Sequence, residues 1–207
     1  MMYLPFLWDC IQKTISSSKT FFECQFLRHV SKYIDKTKTI LDIGANIGNH
    51  SIYFSKVLKC KKVVSFEPQT TMQEIFERNM ELNHIENVVL NKFPLSDKDQ
   101  NLSIVKYDHT NFGGTEFGID ENGEYRSKFL DEMDLNDVQF VKMDVEEHEL
   151  NVLKGGKNLF TVQKPILWIE IHKDSPTRND VLKLLDEYGY ECREILGEMD
   201  YLFFPKS

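Results

Sequence analysis

The stretch Thr39-Ile40-Leu41-Asp42-Ile43-Gly44-Ala45-Asn46-Ile47-Gly48 decides the fold. A short, β-branched apolar run ends at an acid and then enters a turn that carries two glycines. Ile47, Ile52, Tyr53 and Val57 follow at helical spacing, so the segment reads strand, tight loop, helix. Gly44 and Gly48 let the backbone bend sharply and approach a ligand with no Cβ in the way. A helix that begins near Gly48 offers unpaired N–H groups at its first turn. This is the layout of a nucleotide-binding βα unit.

The loop departs from the dinucleotide pattern. Its glycines are spaced G-x-x-x-G, and Asp42 stands two residues before the first of them. A pyrophosphate wants backbone N–H groups and no carboxylate nearby. Asp42 suits a ligand with an ammonium group, although alone it reads equally well as a turn acid or helix cap. Val63-Val64-Ser65-Phe66-Glu67-Pro68 is a second strand ending in an acid, placed to accept both hydroxyls of a ribose. An amine at one acid and a ribose at the next describe S-adenosylmethionine. The residues assigned to it around these two strands are Asp42, Gly44, Ala45, Asn46, Gly48, Ser51, Glu67 and Pro68.

The chain has 207 residues, enough for one domain with a full core. With 41% hydrophobic and 28% charged residues, its composition is that of a soluble globular protein. The net charge is −8, and the strongest basic cluster is Lys59-Cys60-Lys61-Lys62, which argues against nucleic acid as a partner. Cys10, Cys24, Cys60 and Cys192 form neither a CxxC pair nor a zinc spacing. Scattered cysteines without a signal peptide point to a reducing cytoplasm. No apolar run approaches the ~20 residues of a membrane span. Met1-Met2 followed at once by apolar residues is read as a hint of a domain cut from a longer protein.

Residues 1–38 read as helical, with Phe6, Leu7, Cys10 and Ile11 forming one stripe and Phe22, Phe26, Leu27, Val30 and Ile34 a second. A helix over about 70–83 leads to a third strand, Asn87 to Phe93, closed by Pro94-Leu95-Ser96-Asp97. The edge of that strand lies beside an adenine in such sheets, so Asp97 is expected to accept its amino group and Ser96 to offer backbone. Leu102 to Tyr107 alternates like an extra strand, and Asp108 to Arg126 is polar and Gly-rich, the mark of a lid or a disordered loop. Val138 to Asp144 is strand four, followed by a helix begun by Glu146, Glu147 and Glu149. Pro165 to His172 is strand five, nearly all apolar as a central strand should be. A helix ending at Gly189 and two final strands joined by Gly197-Glu198-Met199-Asp200 complete an antiparallel hairpin.

Asp42-Ile-Gly-Ala-Asn-Ile-Gly48, Phe66-Glu-Pro68, Asn79 with Asn83, Pro94-Leu-Ser-Asp97, Lys142-Met-Asp-Val-Glu146 and Ile169-Glu-Ile-His172 together resemble the FkbM-type methyltransferases. The resemblance runs from about Thr39 to Pro205. One departure is Glu147, where the family usually has Gly in Asp-x-Glu-Gly. The resemblance implies a class I, Rossmann-like, doubly wound α/β domain over 39–207 with a seven-stranded sheet and an antiparallel last strand. It implies N-terminal helices over 1–38 that cover the acceptor side, and a loop around Asn111 to Thr115 near the acceptor. It also implies methyl transfer to a hydroxyl of a sugar, glycan or other small molecule. An NAD-dependent oxidoreductase and a non-catalytic Rossmann-like binding domain are the competing readings, both disfavoured by the loop and Glu67.

Asp144, Glu146 and His172 follow strands four and five, where methyl group and acceptor should meet, and are the candidate catalytic residues. His172 is the expected base, since an imidazole titrates near neutrality; Asp144 also borders the cofactor. Asp144, Glu146 and Glu170 have the oxygen chemistry for magnesium. Glu170 sits a full pleat behind His172, however, and no metal ligand is assigned.

Overall fold

In the computed structural model, which describes residues 1–206, the decisive stretch forms strand β1 (Thr39–Ile43), buried along its whole length. The strands after it are β2 (Lys62–Phe66), β3 (Val88–Asn91), β4 (Asn101–Lys106), β5 (Glu116–Ile119), β6 (Tyr125–Arg126), β7 (Val138–Met143), β8 (Ile166–Glu170), β9 (Tyr190–Ile195) and β10 (Asp200–Pro205). Seven of them make one sheet in the order β3-β2-β1-β7-β8-β10-β9. All its pairings are parallel except those of β10, which runs antiparallel to β8 and β9. The order reverses between β1 and β7, which opens a crevice at their carboxyl ends. This is the expected doubly wound sheet.

The helices are α1 (Cys10–Ser18), α2 (Cys24–Val30), α3 (Asn49–Ile52), α4 (Thr70–Leu82), α5 (Glu149–Gly155) and α6 (Arg178–Glu187). On one face of the sheet Leu41, Val141, Leu167 and Ile169 pack against Val152 and Leu153 of α5 and Val181 and Leu185 of α6. On the other, Ile40, Phe140, Trp168 and Leu202 meet Leu27 and Val30 of α2, with Tyr53 and Phe54 from the turn after α3. That turn, Tyr53–Val57, is a π-helical continuation of α3. The second face changes character toward the carboxyl edge. Asp42, Lys142 and Trp168 lie level across β1, β7 and β8, and Glu170 is level with Asp200 of β10. An apolar face thus ends in a row of ionisable groups.

Gly48 shows why the loop needs glycine. Its φ is +85°, and a Cβ there would lie 2.8 Å from Met80 Cε and 2.9 Å from Phe76 Cδ2. Gly48→Ala is expected to cost about 1–2 kcal/mol for the left-handed backbone alone, read as a lower midpoint in thermal denaturation.

Three expectations need correction. The chain before Cys10 is not helical: Asp9 caps α1 by accepting from Gln12 N at 3.0 Å, and Phe6 stacks edge-on against Phe112 instead. The polar segment 108–126 is not structureless, since β5 and β6 pair with β4 into a small antiparallel sheet. Two short strands of mixed polarity leave no periodicity to read. Glu146 and Glu147 do not open a helix, because both have positive φ (45° and 68°) and turn the chain ahead of α5. Glu147 therefore occupies a backbone conformation that favours glycine, the residue the family pattern has there.

Candidate active site

The crevice lies over the carboxyl ends of β1, β2, β3 and β7. Gly44, with φ +82°, forms its floor, and a Cβ at this position would come within 1.7 Å of the Asp144 carbonyl oxygen. Only a glycine lets the β1 turn and the end of β7 sit this close. The N–H groups of Gly44 and Ala45 both donate to Phe66 O, which ties the turn to β2.

Glu67 is 3% exposed and holds two loops at once. One carboxylate oxygen accepts from Asn46 N at 2.8 Å and the other from Gln69 N at 2.8 Å. Burial pushes its pKa up to about 7, against the pull of these two N–H groups. Pro68 continues this wall, and Phe66, Phe93, Pro94 and Leu95 form an apolar slot beside it.

Five expected cofactor residues lie elsewhere. Asp42 and Ser51 are beneath the floor, both fully buried. Asp42 Oδ2 accepts from Ser51 Oγ at 2.5 Å, while Asp42 Oδ1 has no partner among the described residues. The strand pleat puts Asp42 on the α2 face of the sheet, level with Lys142, and the wall begins only at Ile43. Gly48 likewise packs against α4. Ser96 and Asp97 stand behind Leu95, where both bond to Gln100 Nε2. The third strand's contribution to the wall is the apolar Phe93–Leu95 segment instead. His148, which sequence reading passed over, does reach the wall; it is 3.0 Å from Ser96 Oγ, and burial holds its pKa down.

The side of the crevice toward β8 is ionic. Asp144 and Glu146 are in the wall, as is Lys142, whose side chain is 2% exposed and whose ammonium donates to Asp144 Oδ2 at 2.7 Å. Glu146 Oε2 accepts from His172 Nε2 at 3.1 Å. His172 is outside the wall, about a third exposed, with Glu170 Oε1 3.6 Å from the same nitrogen. Burial and the charge of Asp144 raise the pKa of Glu146, while His172 and Lys142 hold it back. Asp144 and burial raise Glu170 as well.

Ile11 of α1 and Phe22 line the crevice from the N-terminal segment, and Gly113, Thr115 and Phe117 from the small sheet's side. The loop 112–115 is anchored rather than loose. Phe112 N donates to Asp9 Oδ1 at 3.0 Å, and Gln69 Nε2 donates to Phe112 O at 3.1 Å. Asp9 is therefore both a helix cap and a latch. Asp9→Ala is expected to cost about 1 kcal/mol through the lost cap and to speed hydrogen exchange at the Phe112 amide, measured by NMR.

A doubly wound sheet of this order, with a glycine floor and a ribose-height carboxylate at the second strand, defines a Rossmann-like methyltransferase. The chain belongs to the family whose model is described as the methyltransferase FkbM domain, matched over residues 42–192. S-adenosylmethionine is the cofactor that the β1 turn and Glu67 lead the sequence reading to expect. "Methyltransferase 1" of Beauveria bassiana (strain ARSEF 2860) is 26% identical, with 56% of this chain and 57% of that protein covered. A crystal structure of methyltransferase FkbM from Methylobacillus flagellatus KT superposes with a TM-score of 0.58 at 22% identity, covering 90% of this chain and 47% of that one. The tRNA (uracil-54, C5)-methyltransferase of Pyrococcus abyssi, solved with S-adenosyl-L-homocysteine, gives 0.51 at 18% identity, covering 89% and 39%. The chain thus spans about half the length of the first two relatives (57% and 47%). The family match sets aside the oxidoreductase reading. Among the described residues no helix is long and apolar enough to cross a membrane.

The residues fit this cofactor. Glu67 is a buried carboxylate in the crevice wall, and the slot at Phe93–Leu95 is apolar.

Proposed function

We propose that this protein transfers a methyl group from S-adenosylmethionine to a hydroxyl oxygen of a sugar or another small molecule. The observation that carries the reading is Glu146, a carboxylate in the crevice wall backed by His172 at 3.1 Å. When bound, S-adenosylmethionine supplies an electrophilic methyl group on a sulfonium. Glu67 would accept from the ribose hydroxyls, with Gly44, Ala45, Asn46 and Pro68 shaping the floor and wall around it. Asp144, fixed by Lys142, borders both cofactor and acceptor. Glu146 would take the acceptor hydroxyl proton as the new C–O bond forms and the methyl–sulfur bond breaks, releasing S-adenosylhomocysteine, while His172 orients that carboxylate. His172, the base expected from sequence, becomes a positioning residue, because it stands outside the wall.

The sugar acceptor rests on the FkbM resemblance. Ile11 and Phe22 in the wall support a role for residues 1–38 in covering the acceptor, ahead of the domain at 39–207. The four cysteines are unpaired, which suits a cytoplasmic location. The test is a panel of sugars, polyols and small alcohols incubated with protein and methyl-labelled S-adenosylmethionine. The reading expects label in an alkali-stable ether; label found on nitrogen, carbon or sulfur acceptors alone would reject it.

A further inference from the structure

Glu146 and Glu147 are consecutive residues with left-handed backbones, φ +45° and +68°, in the turn between β7 and α5. Glycine takes that conformation freely, whereas a side chain there carries a steric cost. Two adjacent residues of this kind beside a crevice mark a backbone held by its surroundings. What holds this one is the loop between β8 and α6. Glu146 Oε2 accepts from His172 Nε2 at 3.1 Å, and Glu147 Oε2 accepts from Ser175 Oγ. Ser175 N donates in turn to His172 O at 3.2 Å. The two glutamates thus grip one loop at two points, and the loop's own backbone closes the ring.

Ser175 also ties this loop to α6. Its Oγ accepts from Thr177 N at 3.3 Å, and its carbonyl oxygen accepts from Arg178 N at 3.2 Å. His172 needs such a hold. The pairing of β8 with β10 ends at Glu170, Ile171 N donates to Met199 O at 2.8 Å, and His172 lies beyond both. With Oε2 taken by His172, Oε1 is the Glu146 oxygen left for an acceptor. It lies toward Gly114, 4.0 Å from where a Cβ on that glycine would be. A carboxylate free to rotate would present either oxygen, or neither, to the acceptor hydroxyl.

We propose that Glu147 and Ser175 are positioning residues that lock His172 against Glu146, so that Oε1 meets the acceptor hydroxyl in one orientation. The proposal rests on the reading of Glu146 as the base. Misplacing a reacting group by about 1 Å can cost about a hundredfold in rate. Breaking the clamp removes one hydrogen bond and leaves the base itself, so a loss of about tenfold is expected.

The experiment compares wild type with Glu147→Gly, Glu147→Gln and Ser175→Ala, and runs Glu146→Gln alongside as the test of the base. Backbone order parameters from amide-nitrogen relaxation are measured over residues 172–175 with S-adenosylhomocysteine bound, which needs no acceptor. Wild type and Glu147→Gln should stay near the rigid value of about 0.85, while Glu147→Gly and Ser175→Ala should fall toward about 0.6. Turnover is read with methyl-labelled S-adenosylmethionine and the panel of sugars, polyols and small alcohols. Glu147→Gly and Ser175→Ala should lower kcat about tenfold, with KM and S-adenosylhomocysteine affinity within about twofold of wild type. Glu147→Gln keeps an acceptor for Ser175 and should hold kcat within about threefold. A merely structural Glu147 predicts otherwise: glycine relieves the left-handed backbone, so Glu147→Gly would keep its Tm and its kcat. That result would overturn the proposal, as would wild-type order parameters in both Glu147→Gly and Ser175→Ala. Ser175→Ala breaks the same bond from the other side, so the test stands even where Glu147→Gly fails to fold. Wild-type kcat in Glu146→Gln would remove the base and the proposal with it. A loop still loosened in the other variants would then mark the failure as that of the base assignment and not of the clamp.

Discussion

Glu67→Ala is expected to weaken binding of S-adenosylhomocysteine by about a hundredfold. Hydrogen bonds to a charged group contribute about 1.5–3 kcal/mol each, and every 1.4 kcal/mol is about a factor of ten in affinity. Loss of one to two such bonds to the ribose gives that range. The substitution has a second effect. Asn46 N and Gln69 N both donate to this carboxylate, so alanine leaves two donors unpaired and loosens both loops that shape the crevice. Glu67→Gln keeps the shape but turns an amide N–H toward one of those donors, so it should also bind poorly. The pKa adds an independent signature. Burial places it at about 7, so lowering the pH through neutrality adds a proton to the carboxylate and removes an acceptor. Affinity for S-adenosylhomocysteine should therefore fall on the acid side of about pH 7 in wild type and lose that dependence in Glu67→Ala. Isothermal titration across pH 6 to 8 reads both effects, and equal affinity in the two proteins would remove Glu67 from the ribose site.

The same residues show what a sequence can and cannot disclose. Glu67 and the Gly44 turn were legible because their signals are local: a strand ending in an acid, and glycines where the backbone needs positive φ. Asp42 was legible as part of the turn but not in its direction. The pleat that places its side chain on the α2 face depends on where β1 pairs with β7. Ser96 and Asp97 went the same way, since a turn rich in Ser and Asp looks alike whether it faces a ligand or caps its own neighbour Gln100. The ionic row was hidden for a stronger reason. Glu23 and Asp200 are 177 positions apart in the chain (200 minus 23), and only the docking of α2 and the antiparallel insertion of β10 bring them together. Lys142 gave no sign of burial, because a lysine near a strand end reads as a solvated residue until its level neighbours are known.

Glu146→Gln is expected to lower turnover by about 10²–10⁴-fold, the usual contribution of a positioned base, with S-adenosylhomocysteine affinity changed far less. Glu146 is in the crevice wall, whereas His172 touches it only from behind. The two residues therefore separate by pH. Burial and Asp144 raise the pKa of Glu146, and a base works only when deprotonated, so wild-type turnover should climb with pH to a midpoint above the ordinary carboxylate range. His172 counters that rise through its charge and its hydrogen bond. His172→Ala removes the counterweight, so Glu146 keeps its proton to higher pH and the activity limb moves alkaline. Turnover in His172→Ala should then be strongly reduced near neutrality but recover much of the wild-type rate at high pH. Glu146→Gln has no proton acceptor to recover and should stay low throughout. Rates measured from pH 5.5 to 9.5, with whichever acceptor the labelled-methyl panel identifies, distinguish the two roles. Were His172→Ala as inactive as Glu146→Gln at every pH, the imidazole would be the base and the carboxylate its orienting partner.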